Sequence, residues 1–246
     1  MRRVLVLGGT AEARHLAATL VDEPGLHAVS SLAGQVRAPA LPPGEVRVGG
    51  FGGAEALAEW LREHDVAAVV DATHPFATRM TAHAVTATAT TGVPLLVLRR
   101  PGWTAEPGDD WTSVGSLSAA AALLPGMGER IFLTTGRTGL AAFAELDLWF
   151  LVRSVDPPEP PAPRRMRVLL DRGPFTVDGE RALLREHRID VLVTKDSGGP
   201  MTAAKLFAAR QEGVPVIVQA RPPVPAGVCS VETVDDAVTW VRAQRG

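Results

Sequence analysis

The stretch VVDATHPFA (69–77) sets an acid, a hydroxyl and an imidazole close together as Asp71, Thr73 and His74. An imidazole titrates nearest neutral pH, so His74 can donate a proton or contact a carboxylate. The apolar run before them reads as a buried strand. That places all three just past a strand's carboxyl end, where open α/β sheets bind ligands. Pro75 lacks the N–H that a first helical turn leaves unused, so it can begin the next helix. The plainer alternative has Asp71 orienting backbone groups and His74 capping that helix.

A second candidate is LGGTAEAR (7–14). An apolar strand runs into two glycines and then into a helix pattern. Such a turn aims backbone N–H groups and the positive end of a helix at the strand edge. Gly8 and Gly9 let a phosphate approach the backbone, and Thr10 can cap the helix and offer a hydroxyl. The full G-x-G-x-x-G pattern is absent, and a tight turn with a helix cap accounts for the same residues. A dinucleotide with a free ribose 2′-hydroxyl usually meets Asp or Glu after the second strand. Here Ser30, Ser31 and Arg37 stand instead. If a dinucleotide binds, hydroxyls and an arginine favour NADP over NAD.

Two further glycine turns lie in the second half. LTTGRTG (133–139) carries Thr134, Thr135, Gly136 and Arg137, whose guanidinium fork suits carboxylate or phosphate. VTKDSGGPMTAAKL (193–206) carries Lys195, Asp196, Ser197, Gly198, Gly199 and Lys205. Adjacent Lys195 and Asp196 are a charged pair at a strand end, or a simple ion pair of little energetic weight.

Alternating strands and helices must position these turns. Strands are expected over 4–7, 27–32, 45–51, 66–72 and 94–98, with helices over 10–21, 54–64 and 76–91. The rhythm restarts after Arg99, Arg100, Pro101 and Gly102. It then gives strands over 111–114, 130–136, 148–154, 166–170, 190–199 and 214–220, with helices over 116–124, 138–145, 178–187, 200–212 and 233–245. This alternation predicts an α/β protein with two Rossmann-like, doubly wound parallel-sheet domains and an interdomain cleft. The expected division is 1–102 and 103–246, with the final helix free to pack on either domain.

Composition narrows the classes. The 246 residues carry a net charge of −2, so no global basic field calls for nucleic acid or a membrane surface. An anionic ligand must be met by local cations. The single cysteine, Cys229, excludes an internal disulfide and a cysteine metal cluster, and fits a cytoplasmic location. No apolar run approaches the roughly 20 residues of a membrane-spanning helix. The chain has no tyrosine, no metal-ligand spacing among its histidines and no G-x-S-x-G.

Taken together, GGTAEAR (8–14), DATHPFA (71–77), LTTGRTGL (133–140) and TKDSGG with TAAKL (194–199, 202–206) resemble the precorrin-6A reductase family of cobalamin biosynthesis. The likeness spans both halves of the chain in order. It implies NADPH and a tetrapyrrole substrate, with reduction of one macrocycle double bond to give precorrin-6B. Gly8, Gly9, Thr10, Glu12, Ser30, Ser31, Arg37, Asp71 and Thr73 would then face the cofactor. Arg14, Thr135, Gly136, Arg137, Ser197, Gly198 and Lys205 would face the substrate. Arg79, Arg99, Arg100, Lys195 and Arg210 are further cations for its acidic side chains. The proton that accompanies a hydride can come from His74, Lys195, Asp196, water or the substrate itself. No metal, nucleic acid or membrane partner is expected, and the chain is compatible with a monomer or a weak homo-oligomer. Alternatives are the cobalt-containing substrate with NADH, a non-catalytic nucleotide-binding regulator, and an oxidoreductase for a small imine or enoyl compound.

Overall fold

Strand β1 (Arg2–Leu7) is apolar along its inner part because both of its faces are covered. Val4 and Val6 pack under helices α1 (Ala11–Val21) and α7 (Val234–Ala243). Leu5 and Leu7 point the other way, onto α2 (Ala54–Glu63) and α3 (Thr78–Thr91). In a parallel sheet with helices on both sides, buried strands lose the alternation of polar and apolar residues. The computed structural model describes residues 1–34 and 41–244.

The chain forms two units, Met1–Pro101 with Pro222–Gly246, and Gly102–Arg221. In the first, β1 pairs with β2 (Leu26–Leu32) and β4 (Val66–Asp71). Next to them come β3 (Glu45–Val48), β5 (Leu95–Leu98) and β12 (Cys229–Val231), in the order β12-β5-β4-β1-β2-β3, all parallel. In the second, β6 (Trp111–Val114), β7 (Arg130–Leu133), β8 (Trp149–Ser154), β9 (Met166–Leu170), β10 (Val191–Lys195) and β11 (Val216–Gln219) pair in the order β6-β11-β10-β7-β8-β9, again all parallel. Helix α4 (Leu117–Leu123) and a 3-10 turn (Leu140–Phe143) cover one face, and α5 (Val177–Glu186) and α6 (Ala204–Glu212) the other.

Both sheets carry the doubly wound order with a sixth strand beyond the fifth. The sixth strands are exchanged along the chain. The strand after β5 joins the second sheet, and the strand after β11 joins the first. The expected second domain runs to 246, but the second unit ends at Arg221, and the chain from Pro222 returns to supply β12 and α7 to the first. Strand β12 lies outside the expected elements. The helix expected from Phe76 begins at Thr78, and that expected from Pro200 begins at Ala204. The helix expected over 138–145 is a single 3-10 turn.

Candidate functional site

In the first unit, two loops meet at the carboxyl edge of the sheet. The register Ser31↔Leu7↔Asp71↔Val97 brings the ends of β2, β1, β4 and β5 to one level. Gly8 N–H donates to Ser31 O at 2.9 Å, and Ala72 N–H to Leu7 O at 2.9 Å. Gly9 has φ +119°, a conformation side chains avoid, and nothing lies within 4 Å of where a Cβ would stand. The backbone there is open to a ligand. Helix geometry leaves the first N–H groups of α1 without intrahelical partners, beside this opening.

Thr10 caps α1, as expected: its hydroxyl accepts from Ala13 N at 3.1 Å and donates to Ala72 O at 2.8 Å. That proton is therefore committed to the fold, and Thr10 does not have it to offer a ligand. Glu12 is held by Arg100 at 2.6 Å, which neutralises an acid that would otherwise repel a phosphate at the helix start. Ser30 and Ser31 are 2% and 6% exposed, within the strand rather than beyond it. They are poorly placed to read a 2′-phosphate. Arg37 lies outside the described residues. Arg47, which the sequence reasoning missed, stands level with Ser31 on β3. Its guanidinium rests 3.8 Å from the centre of the Phe51 ring and donates to Gly49 O and Gly50 O.

Asp71 is 2% exposed and organises its own loop. Its carboxylate accepts from Thr73 N (3.0 Å), Thr73 Oγ1 (2.6 Å) and Thr81 Oγ1 (2.6 Å). His74 follows, half-buried, and accepts from Phe76 N at Nδ1 (3.3 Å). An imidazole accepting at Nδ1 carries its neutral-state proton on Nε2. Arg99 spans this loop and the returning chain, donating to Pro75 O (2.9 Å) and Pro222 O (2.7 Å).

In the second unit, the turns after β7 and β10 are joined. Lys195 Nζ donates to Thr138 O at 3.2 Å, and Thr134 Oγ1 to Val193 O at 3.2 Å. Burial pushes the Lys195 amine below the ordinary lysine range, as suits a group that gives up a proton. Thr135 is 5% exposed, and its hydroxyl has no hydrogen-bond partner among the described residues. Gly136 takes φ +76°, and Arg137 next to it is half-buried. Ser197 turns back, its N–H donating to Lys195 O at 2.7 Å, and Gly198 behind it is buried.

Asp196 has a different role from the acid expected of it. Its carboxylate receives both arms of Arg221, at 3.0 and 3.1 Å, and Trp103 N at 3.0 Å. It clamps the two ends of the second unit, Gly102–Trp103 and Arg221, onto the β10 turn. Both carboxylate oxygens are thus engaged by a guanidinium fork and an amide, which commits the side chain to the fold. Trp103 Nε1 adds a bond to Gly199 O at 2.9 Å. Neither Trp103 nor Arg221 carries a local motif that would have revealed the clamp.

Lys205 also departs from expectation. It is 3% exposed, donates to Thr202 O at 2.6 Å and lies 4.5 Å from the Trp103 ring centre. Burial, with Arg153 adding to it and Glu180 opposing, pushes its amine down to about 7. Arg153 and Glu180 form a buried ion pair beside it. Lys205 braces the β10 turn from beneath and does not present a charge to a substrate. Of the other cations, Arg99 and Arg100 are engaged as above, and Arg210 pairs with Glu106 at 2.7 Å. Arg14 and Arg137 are half-buried and Arg79 is exposed. No group of three or more His, Cys, Asp or Glu converges among the described residues, and no helix among them is long and apolar enough to cross a membrane.

The model of the family described as precorrin-6x reductase CbiJ/CobK matches residues 3–242. The precorrin-6A reductase of Rhodococcus erythropolis is 57% identical over 98% of this chain and 98% of its own. The cobalt-precorrin-6A reductase of Priestia megaterium is 30% identical over 91% of this chain and 92% of its own. A solved structure described as CobK precorrin-6A reductase superposes with a TM-score of 0.92 and 46% identity, over 99% of this chain and 97% of the other. A match from end to end in both sequence and fold has one consequence: this chain belongs to the precorrin-6x reductase CbiJ/CobK family.

Proposed function

We propose that this chain is an NADPH-dependent precorrin-6A reductase that saturates one macrocycle double bond to give precorrin-6B. The observation that carries the metal-free substrate is the identity gap. Relatives named precorrin-6A reductase reach 57%, and those named cobalt-precorrin-6A reductase reach 31%. When bound, the reduced nicotinamide supplies the hydride. The chain's own residues then bind, orient and protonate.

The opening at Gly9 and the start of α1 suit a pyrophosphate. Arg47 is the cation for a 2′-phosphate, and it favours NADPH over NADH. Asp71, by fixing Thr73 and the loop to Thr81, holds His74 in place beside this turn. The second unit offers Arg137, Ser197 and the unpartnered hydroxyl of Thr135 to the substrate's carboxylates. The substrate carbon next to the one that takes the hydride needs a proton. Lys195, with its lowered amine, is the donor we retain, His74 Nε2–H serves as a hydrogen-bond donor to the bound groups, and Asp196 is set aside.

The test mixes purified protein, NADPH and precorrin-6A and follows the macrocycle absorption together with NADPH consumption. The expected result is one NADPH oxidised per macrocycle, with NADPH preferred over NADH by at least about tenfold in kcat/KM, a difference of about 1.4 kcal/mol. No spectral change with competent substrate overturns the proposal. A tenfold preference for NADH overturns its cofactor half.

A further inference from the structure

At the carboxyl edge of the second sheet, one buried polar group has no role in the account so far. Gln219 ends β11 and pairs in register with Lys195, the last residue of β10. Residues paired in register in parallel strands point to the same face, and such strands lie about 4.8 Å apart. Val193 and Ile217, two positions earlier on each strand, identify that face: both pack with Leu117 of α4 and Leu140 of the 3-10 turn. With a side-chain period of two, Lys195 and Gln219 leave the sheet on the same side. The bond from Asp196 N to Gln219 O, at 2.9 Å, holds the two strand ends together.

Gln219 Oε1 is buried and has no hydrogen-bond partner among the described residues. A buried acceptor in that condition calls for an explanation. Its neighbour in register is a donor. An ammonium has three N–H groups, so Lys195 can keep its bond to Thr138 O (3.2 Å), face the substrate and reach Gln219 at once. Burial lowers the Lys195 amine and so works against the charge a proton donor must carry. An amide oxygen turned to the ammonium opposes that effect. Little else around the end of β10 can do so. The neighbouring α4, 3-10 turn, β6 and β11 carry no charged residue. The turn after β7 brings Arg137, a like charge, and Asp196 is engaged by Arg221 and Trp103 N.

We infer that Gln219 is a positioning residue for the reduction, its amide oxygen receiving the Lys195 ammonium and aiming it at the substrate. The inference rests on Lys195 as the proton donor and adds what holds its proton in place. No local motif announces Gln219, because only strand pairing sets it beside Lys195.

Lys195 and Lys205 are the only lysines in the sequence, so NMR of the whole protein labelled with carbon-13 at lysine Cε can follow each amine separately. Lys205→Met assigns the two signals. Gln219→Leu is expected to lower the Lys195 titration midpoint by at least about one pH unit, and Gln219→Glu to raise it by as much. The Lys205 midpoint should not move in either variant, which also reports that each is folded. The high-pH limb of kcat, where the donor loses its proton, should follow the Lys195 midpoint from variant to variant. A glutamine with a purely structural role would alter the melting temperature and leave both readings unchanged. A Lys195 midpoint that neither substitution moves overturns the inference. A midpoint that moves while the kcat limb stays fixed overturns instead the reading of Lys195 as proton donor, and the part given to Gln219 in the reduction with it.

Discussion

Replacing Asp196 with asparagine separates a structural clamp from a catalytic acid. In the structure its carboxylate accepts three bonds, two from Arg221 and one from Trp103 N, and both charged side chains are 16% exposed. Removing one partner of a fully buried ion pair costs about 3–5 kcal/mol. Exposed pairs contribute up to about 1 kcal/mol. A pair at this depth belongs between these limits, at about 2–3 kcal/mol. The amide of asparagine can accept from one arm of Arg221 but turns a donor toward the other. For a unit of this size each kcal/mol moves the midpoint by about 4 °C, so calorimetry should show a fall of about 8–12 °C. Well below the transition, kcat should drop less than tenfold, with an unchanged pH profile. Loss of a true general acid would lower it about 10²–10⁴-fold. A variant that melts like the parent yet has lost a hundredfold or more in kcat would refute the clamp.

Three further outcomes follow from the same geometry. A Cβ at Gly102 would stand 2.6 Å from Asp196 Oδ2, so Gly102→Ala should cost about 1–3 kcal/mol in urea unfolding. Most of that cost should vanish in an Asp196→Ser background, because the two positions share one contact. The Lys205 amine is lowered to about 7 in the fold, so between about pH 7 and 10.5 the unfolded chain binds the extra proton. Stability should therefore fall as pH drops through that window, and Lys205→Met should remove the fall, gaining about 2–4 kcal/mol over the parent at pH 6 relative to pH 10. A pH dependence identical in the two proteins would count against a buried neutral lysine. Arg47→Ala should raise the KM for NADPH at least about tenfold and leave that for NADH nearly unchanged, as loss of a charge-assisted phosphate bond predicts. Equal effects on the two nucleotides would remove Arg47 from the 2′-phosphate site.

Local pattern revealed most of the fold. Apolar runs such as VLVL mark strands covered on both faces, and Thr10 caps the helix that follows, as its type and place predict. Strand β12 was hidden because Cys229–Val231 is short and largely exposed, an edge strand with no apolar run. The exchange of sixth strands was hidden for a different reason: both exchanged segments have ordinary local patterns, and only pairing across the chain assigns them to a sheet. At the site, the glycine turns and the Asp71–His74 loop were legible from residue type. The partners were not. Arg100 reaches Glu12 and Arg221 reaches Asp196 from distant parts of the chain, so residues that look like free acids prove to be tied. Lys205 was expected to face a substrate because its helix pattern does not show that it packs on the Trp103 ring beside the Arg153–Glu180 pair.

We propose that this chain passes hydrogen from NADPH to the macrocycle of precorrin-6A. Single turnover with NADPH deuterated at C4, prepared separately in each of its two stereoisomers, tests this most directly, with the product read by mass spectrometry. One isomer should yield precorrin-6B carrying a single deuterium, and the other should yield unlabelled product, with the second hydrogen taken from solvent. Reduced product that contains no deuterium from either isomer would contradict the account.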